Sequence, residues 1–313
     1  MIKEEFYFDS RDGENRIHAV RYTPDDGNVR GIVQIVHGMA EYVERYENLA
    51  EFLTKRGILV TGEDHLGHGK SVSEGGSFGY FCEQDPATVV VRDVHRLKKI
   101  TEEQYPQVPY IILGHSMGSF IARNYLCRYG SGIDGAVIVG TGMQSSGLIF
   151  ASKAMAGIQK LFCGSKHVSH FIDKAAFGGY NKRIDSPRTS SDWLSRNTDN
   201  VDRYIADELC GFTFTVNGFQ TLFELIRRLQ KQENLEKVPQ NLPILMVSGE
   251  EDPVGDYGKG VHKACDSLKR AGVKNIIVKL YENDRHELLN EDDAETAMED
   301  IWQWICKEVP GIA

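Results

Sequence analysis

Residues 110–129 read YIILGHSMGSFIARNYLCRY, and the reading of this stretch decides the fold. Tyr110 to Leu113 form an apolar run without alternation, as in a strand covered on both faces. SFIARNYL reads as a helix. Between them, Gly114-His115-Ser116-Met117-Gly118 has the form G-x-S-x-G. A serine on so sharp a strand-to-helix turn needs small neighbours, and Gly114 and Gly118 let the two elements approach closely. The turn raises the serine oxygen to the carboxyl edge of a sheet, and the helix N-terminus favours negative charge developing there. The bare pentapeptide occurs by chance in unrelated chains. Its placement between strand and helix separates it from a mere glycine-rich turn.

Working outward, three strand-like runs precede it at 4–10, 17–23 and 31–37, with Asp12-Gly13 and Pro24-Asp25-Asp26-Gly27 supplying turns. A helix follows at 44–57, ended by Gly57, then a strand at 58–64 and a helix at 87–105 closed by Pro106 and Pro109. On the other side a strand is expected at 134–140. The rhythm then breaks. Residues 143–238 hold helical patterns at 148–162 and 218–232, an irregular polar stretch between them, and no convincing strand. Alternation returns with a strand at 242–250, a helix at 258–272, a strand at 275–281 and a helix at 294–308. This predicts an α/β domain formed by residues 1–142 and 239–313. It has an eight-stranded, mostly parallel sheet, helices on both faces, and a helical insertion over 143–238.

The chain has 313 residues, 41% hydrophobic and 26% charged, which describes an ordinary globular protein. No run reaches the roughly 18 apolar residues of a membrane-spanning helix. The N-terminus, MIKEEFYFDSRDGENR, lacks the apolar segment of a signal peptide. The net charge of −9 and the lack of a Lys/Arg block argue against nucleic acid and against electrostatic adhesion to an anionic membrane. An apolar patch could still touch lipid. The cysteines at 82, 127, 163, 210, 265 and 306 are scattered. They read as free thiols of a cytoplasmic protein, with no metal site and no cofactor expected.

A serine needs a base. His286 follows the strand at 275–281, at the edge where reactive groups collect in open α/β sheets. His95 and His262 fall inside helical patterns, and His167 and His170 lie in the insertion. His115 adjoins Ser116, but neighbours on such a turn point apart. The base needs an acid to hold its tautomer. Asp252 follows the strand at 242–250, with Glu250, Glu251 and Asp256 as competitors. The order Ser116, Asp252, His286 is one of the known triad orders. Two backbone donors for an oxyanion are expected at Met117, after the serine, and at Met39, in the His37-Gly38-Met39 turn.

Taken together, HGMAEYVERY (37–46), EDHLGHGKS (63–71), GHSMGS (114–119), SGEEDPVG (248–255) and RHELLNE (285–291) resemble, in order, the motifs of the α/β-hydrolases of the monoacylglycerol lipase and lysophospholipase group, the serine-aminopeptidase-type hydrolases. The resemblance covers about residues 5–142 and 240–308. It implies a triad of Ser116, Asp252 and His286, an oxyanion hole at Met39 and Met117, and a cap formed by the insertion. It also implies that Asp64 to Ser71, despite two histidines beside an aspartate, is a structural turn rather than a metal site.

Leu148, Ile149, Phe150, Met155, Ile158, Leu161 and Phe162, with Phe212, Phe214, Phe219, Leu222 and Phe223, either pack the cap internally or line an acyl tunnel. The reading is a serine ester hydrolase for monoacylglycerols or similar single-chain lipid esters. Its partners are a lipid substrate and a transient membrane or micelle contact; no protein partner is implied. The alternatives are a small-ester esterase, a proline-iminopeptidase-like aminopeptidase, and a silent ligand-binding module. The aminopeptidase requires a cap carboxylate to hold an amine, with Asp173, Asp185, Asp192, Asp199, Asp202, Asp207 and Glu208 available.

Overall fold

A computed structural model describes residues 1–312. β1 (Ile2–Asp9), β2 (Arg16–Thr23), β3 (Gly31–Val36), α1 (Glu47–Thr54), β4 (Ile58–Glu63), α2 (Pro86–Gln104), β5 (Tyr110–His115), α3 (Met117–Tyr129) and β6 (Gly135–Val139) form the first part. Then α4 (Ser146–Cys163), α5 (His170–Phe177), α6 (Thr198–Ala206), α7 (Val216–Leu229) and α8 (Gln232–Leu235) follow without a strand. β7 (Ile244–Gly249), α9 (Lys259–Arg270), β8 (Ile276–Tyr281) and α10 (Ala294–Glu308) complete the chain. The eight strands form one sheet in the order β1-β2-β4-β3-β5-β6-β7-β8. β1 and β2 pair antiparallel, β2 joins β4 antiparallel, and every pair from β4 to β8 is parallel.

The central strands β3 to β7 are buried along their whole length, as their unbroken apolar runs predict. Two apolar layers result. One holds α2, α3 and α9 and continues into α7 through Phe219, Leu222 and Leu225. The other packs α1 and α10 on the opposite face, with Leu49, Leu53, Ile301 and Ile305 at its centre.

The polar stretch expected to be irregular contains two short helices, α5 and α6. The Ser169 and Asn197 side chains accept the Ile172 and Asn200 N–H groups and so cap them. Both are too short to declare themselves by periodicity. In the insertion, β-structure amounts to one isolated bridge, Val168 to Thr215.

The turn at Ser116 is the tightest junction in the sheet. A Cβ on Gly118 would lie 1.9 Å from the Val36 carbonyl oxygen, and one on Gly114 would lie 2.5 Å from the Gly118 oxygen. Gly157, inside α4, meets nothing within 4 Å. Gly118→Ala therefore forces backbone apart and is expected to cost about 3 kcal/mol or more. Gly157→Ala gains about 0.5–1 kcal/mol of helix propensity. Thermal unfolding should move down for the first and up for the second.

Candidate active site

Ser116 stands at the N-terminus of α3 with φ 55° and ψ −121°. A non-glycine residue reaches this region only at a cost of about 1–3 kcal/mol. The packing of Gly114 and Gly118 holds it there, together with the Ser116 N–H bond to the Val139 oxygen at 3.0 Å. His286 follows β8, and its Nδ1 lies 3.0 Å from Asp252 Oδ2. Asp252 follows β7 and is fully buried. Its Oδ1 accepts the Val254 N–H at 2.8 Å and its Oδ2 accepts the Ser248 hydroxyl at 3.1 Å, so both oxygens are fixed. Glu250, Glu251 and Asp256 are exposed. Glu251 lies 3.9 Å from Arg285.

Ser116, Met117, Met39 and His286 line one cavity of about 560 Å³, a volume suited to a small organic ligand. Of the competing histidines, His95 stacks on Tyr129 at 3.8 Å, while His167, His170 and His262 are exposed on other surfaces. The Gly38 N–H donates to Glu41 Oε1 at 2.5 Å. Ala40 turns the chain with φ 52°.

Asp64 to Ser71 is a hydrogen-bonded turn. Asp64 accepts the Val43 and Lys70 N–H groups, each at 2.9 Å, and its Oδ2 lies 2.8 Å from His18 Nδ1. His65 stacks on His37 at 4.0 Å, and His68 packs against Phe81, Phe212 and Phe214. Burial pushes His65 down to about 4 and His68 to about 3, so both are neutral packing rings at neutral pH.

The apolar residues of the insertion divide in a way the sequence did not anticipate. Leu148, Ile149 and Met155 line the cavity from α4, and Phe212, Leu222 and Phe223 line it from the other side. Phe214 and Phe219 are fully buried in the core. Phe150, Ile158, Leu161 and Phe162 neither pack nor line. They are 77%, 58%, 84% and 85% exposed.

Two further features lay outside the sequence reading. The Trp193 ring faces the His286 ring at 5.1 Å, and the segment around it is bound to the histidine loop. Arg285 donates to the carbonyls of Asp192 and Ser195, Glu291 accepts from Ser195 and Arg196, and the Glu287 N–H donates to the Leu194 oxygen at 2.6 Å. No periodicity marks Trp193. Beneath the site lies a buried charged cluster. Arg45 Nη1 contacts Glu41 at 2.9 Å and Glu287 at 2.7 Å, and Asn200 of α6 donates to Glu287 at 2.7 Å. Burial raises the carboxyl groups, but the adjoining cations outweigh it and hold Glu41 and Glu287 below the ordinary range. The i, i+4 spacing of Glu41 and Arg45 in HGMAEYVERY is the signal that could have found this cluster.

The family described as serine aminopeptidase, S33, matches residues 27–293. The monoglyceride lipase of Rattus norvegicus is 27% identical over 293 residues, covering 92% of this chain and 86% of the relative. The monoacylglycerol lipase of Mycolicibacterium smegmatis is 28% identical over 285 residues, covering 91% and 90%. Among solved structures, a thermostable carboxyl esterase from Bacillus coagulans in complex with glycerol superimposes with a TM-score of 0.92 at 31% identity, covering 100% of both chains. With the strand order, the strained serine turn and these matches agreeing, the chain belongs to the S33 serine aminopeptidase family of α/β-hydrolases.

Proposed function

We propose that this protein hydrolyses monoacylglycerols or similar single-chain lipid esters through an acyl-enzyme. The observation that carries the reading is the shared cavity. It joins the strained Ser116 and the Asp252-paired His286 to an apolar arm lined by Leu148, Met155, Leu222 and Phe223. The relatives named for lipase and esterase activity support the same class. Ser116 Oγ attacks the ester carbonyl while His286 takes its proton, and Asp252 stabilises the imidazolium. His286 then protonates the leaving alcohol, and a water activated by His286 releases the fatty acid. The backbone N–H groups of Met117 and Met39 face the oxyanion. Because Glu41 occupies the Gly38 N–H, the second donor falls to Met39.

Residues 143–238 act as the cap that selects the acyl chain. The solvent face of α4 carries Phe150, Ala154, Ile158, Leu161 and Phe162 at helical spacing with no charge among them. Within 146–184 there are six cations, Lys153, Lys160, Lys166, Lys174, Lys182 and Arg183, against a single acid, Asp173. Of these, Lys153 pairs with Glu224 and Lys160 lies 3.9 Å from Glu83, so the excess at this face is smaller than the count. An apolar stripe among cations suits the surface of a membrane or micelle, from which a lipase draws substrate. No helix among the described residues is long and apolar enough to cross a membrane. The six cysteines are free, which fits a reducing, cytoplasmic setting.

One observation favours the aminopeptidase reading. Of the acids named for that role, only Asp173 lines the cavity. Burial raises its carboxyl.

The purified protein should cleave monoacylglycerols and p-nitrophenyl esters of medium or long chains in preference to acetyl esters. Ser116→Ala should lower kcat by about 10⁴-fold or more. Asp252→Asn should cost less than Ser116→Ala and much more than Glu251→Gln. Cleavage of aminoacyl anilides alone, abolished by Asp173→Asn, would replace the lipase reading with the peptidase one.

Vesicle co-sedimentation tests the surface contact. Leu161→Asp combined with Phe162→Asp should release the protein from phosphatidylglycerol vesicles and leave hydrolysis of p-nitrophenyl butyrate unchanged. Equal sedimentation of the variant would remove α4 from the contact.

A further inference from the structure

The cluster below the site has a charge count that only one protonation state balances. Glu41 and Glu287 are buried carboxylates, and Arg45 supplies one cation between them. The fourth member is His115, 5% exposed and next to Ser116 in the chain. Its Nδ1 lies 3.2 Å from Glu41 Oε1, and its Nε2 lies 3.1 Å from the backbone carbonyl oxygen of His286. Both partners are acceptors only. A neutral imidazole has one N–H and one lone pair, so one contact would set lone pair against lone pair. An imidazolium donates to both.

We propose that His115 is a stably protonated positioning residue, which ties the backbone of His286 to the oxyanion loop through Glu41. This rests on the reading of Ser116 and His286 as the reacting pair. The link has three parts. Glu41 Oε1 also accepts the Gly38 N–H and the Tyr46 hydroxyl, the latter at 2.9 Å, so the carboxylate is anchored in the loop that carries Met39. A Cβ on Gly38 would lie 3.1 Å from Ser116 Cβ, which sets that loop directly against the serine. His115 then spans from this carboxylate to the residue that moves the proton. Loss of its proton keeps the bond to the carboxylate and sacrifices the bond to the His286 carbonyl, releasing the catalytic histidine's backbone.

The groups facing His115 are Glu41 from the loop after β3, Arg45 and Tyr46 just beyond it, and His286 and Glu287 from the loop after β8. The Tyr46 ring stands at 6.2 Å and the His286 ring at 4.7 Å. Burial alone would lower His115, but the bond to Glu41 and the two carboxylate charges outweigh it and raise it above the ordinary histidine value. A raised folded value stabilises the folded state below the ordinary value. That stabilisation is lost as pH rises through the folded one. Activity should fall on the alkaline side as His115 loses its proton.

The test combines nitrogen-15 histidine NMR of the full chain with the pH dependence of kcat on a short soluble ester. The His115 ring, assigned by its loss in His115→Gln, should carry protons on both nitrogens at neutral pH and titrate above the ordinary range. The alkaline limb of kcat should coincide with that titration and disappear in His115→Gln. Glu41→Gln keeps an oxygen for the Gly38 N–H and removes the countercharge, so it should move the limb down by about one unit or more. A His115 ring that is neutral at neutral pH, or a limb that ignores both variants, overturns the proposal. The NMR titration needs no turnover, so it distinguishes failure here from failure of the hydrolase reading.

Discussion

The structure depends on one close approach of backbone to backbone. The first turn of α3 lies so near the end of β3 that position 118 has no room for a side-chain carbon. That contact bends the chain at Ser116 into a conformation an isolated peptide would avoid. It also brings the loop after β3, with Met39, against the serine. A looser junction would let Ser116 relax and would move the loop carrying Met39 away from it. Strain at this one residue is thus sustained by the packing of the whole parallel sheet, whose central strands are buried from end to end.

The insertion is attached unequally. Its half from the Asp192–Leu194 turn through α6 is bound to the catalytic-histidine loop by Arg285, Glu291 and Asn200. Its other half rests on α7 through α4, with α5 against α4, and presents apolar side chains to solvent. The two halves meet over the cavity. The first orders the histidine and holds Trp193 against it. The second lines the cavity from α4 and α5. Contacts to the His286 loop and the exposed apolar surface therefore lie in different parts of one segment.

Most of the frame was legible because its signals are local. The central strands and the helices flanking them follow from apolar runs and helical spacing bounded by glycine and proline, and the first two strands from strand-like runs between turns. Ser116, Asp252 and His286 stand out because each follows a strand that could be read, and the fold brings the last two within 3.0 Å. The insertion was less legible. α5 and α6 have 8 and 9 residues and owe their ends to the Ser169 and Asn197 caps. Helical spacing identified α4 but could not say which face would meet the core. Phe162 and Ile149 look alike in sequence and lie at opposite extremes of exposure. Trp193 and Glu287 meet the site through contacts between segments distant in the chain. His115 was set aside because it points away from Ser116. It does point away, toward Glu41 and the His286 carbonyl.

Net charge says nothing of how charge is placed along the chain. A chain with a formal charge of −9 carries an excess of five cations between residues 146 and 184, beside its most exposed apolar helix. The same chain buries two carboxylates under the active site, where a sequence total has nothing to say about protonation. In water His115 would lose half its protons near pH 6.5. Between Glu41 and a carbonyl oxygen it has no acceptable neutral form that keeps both bonds. The two charge patterns serve opposite ends of the cavity. At the rim, the surface contact proposed for α4 would weaken as salt rises to the extent that its cations carry it. At the base, the paired charges of Glu41, Arg45 and Glu287 are buried and shielded from salt. An ionic-strength series should therefore weaken surface association while leaving turnover of a soluble ester nearly level.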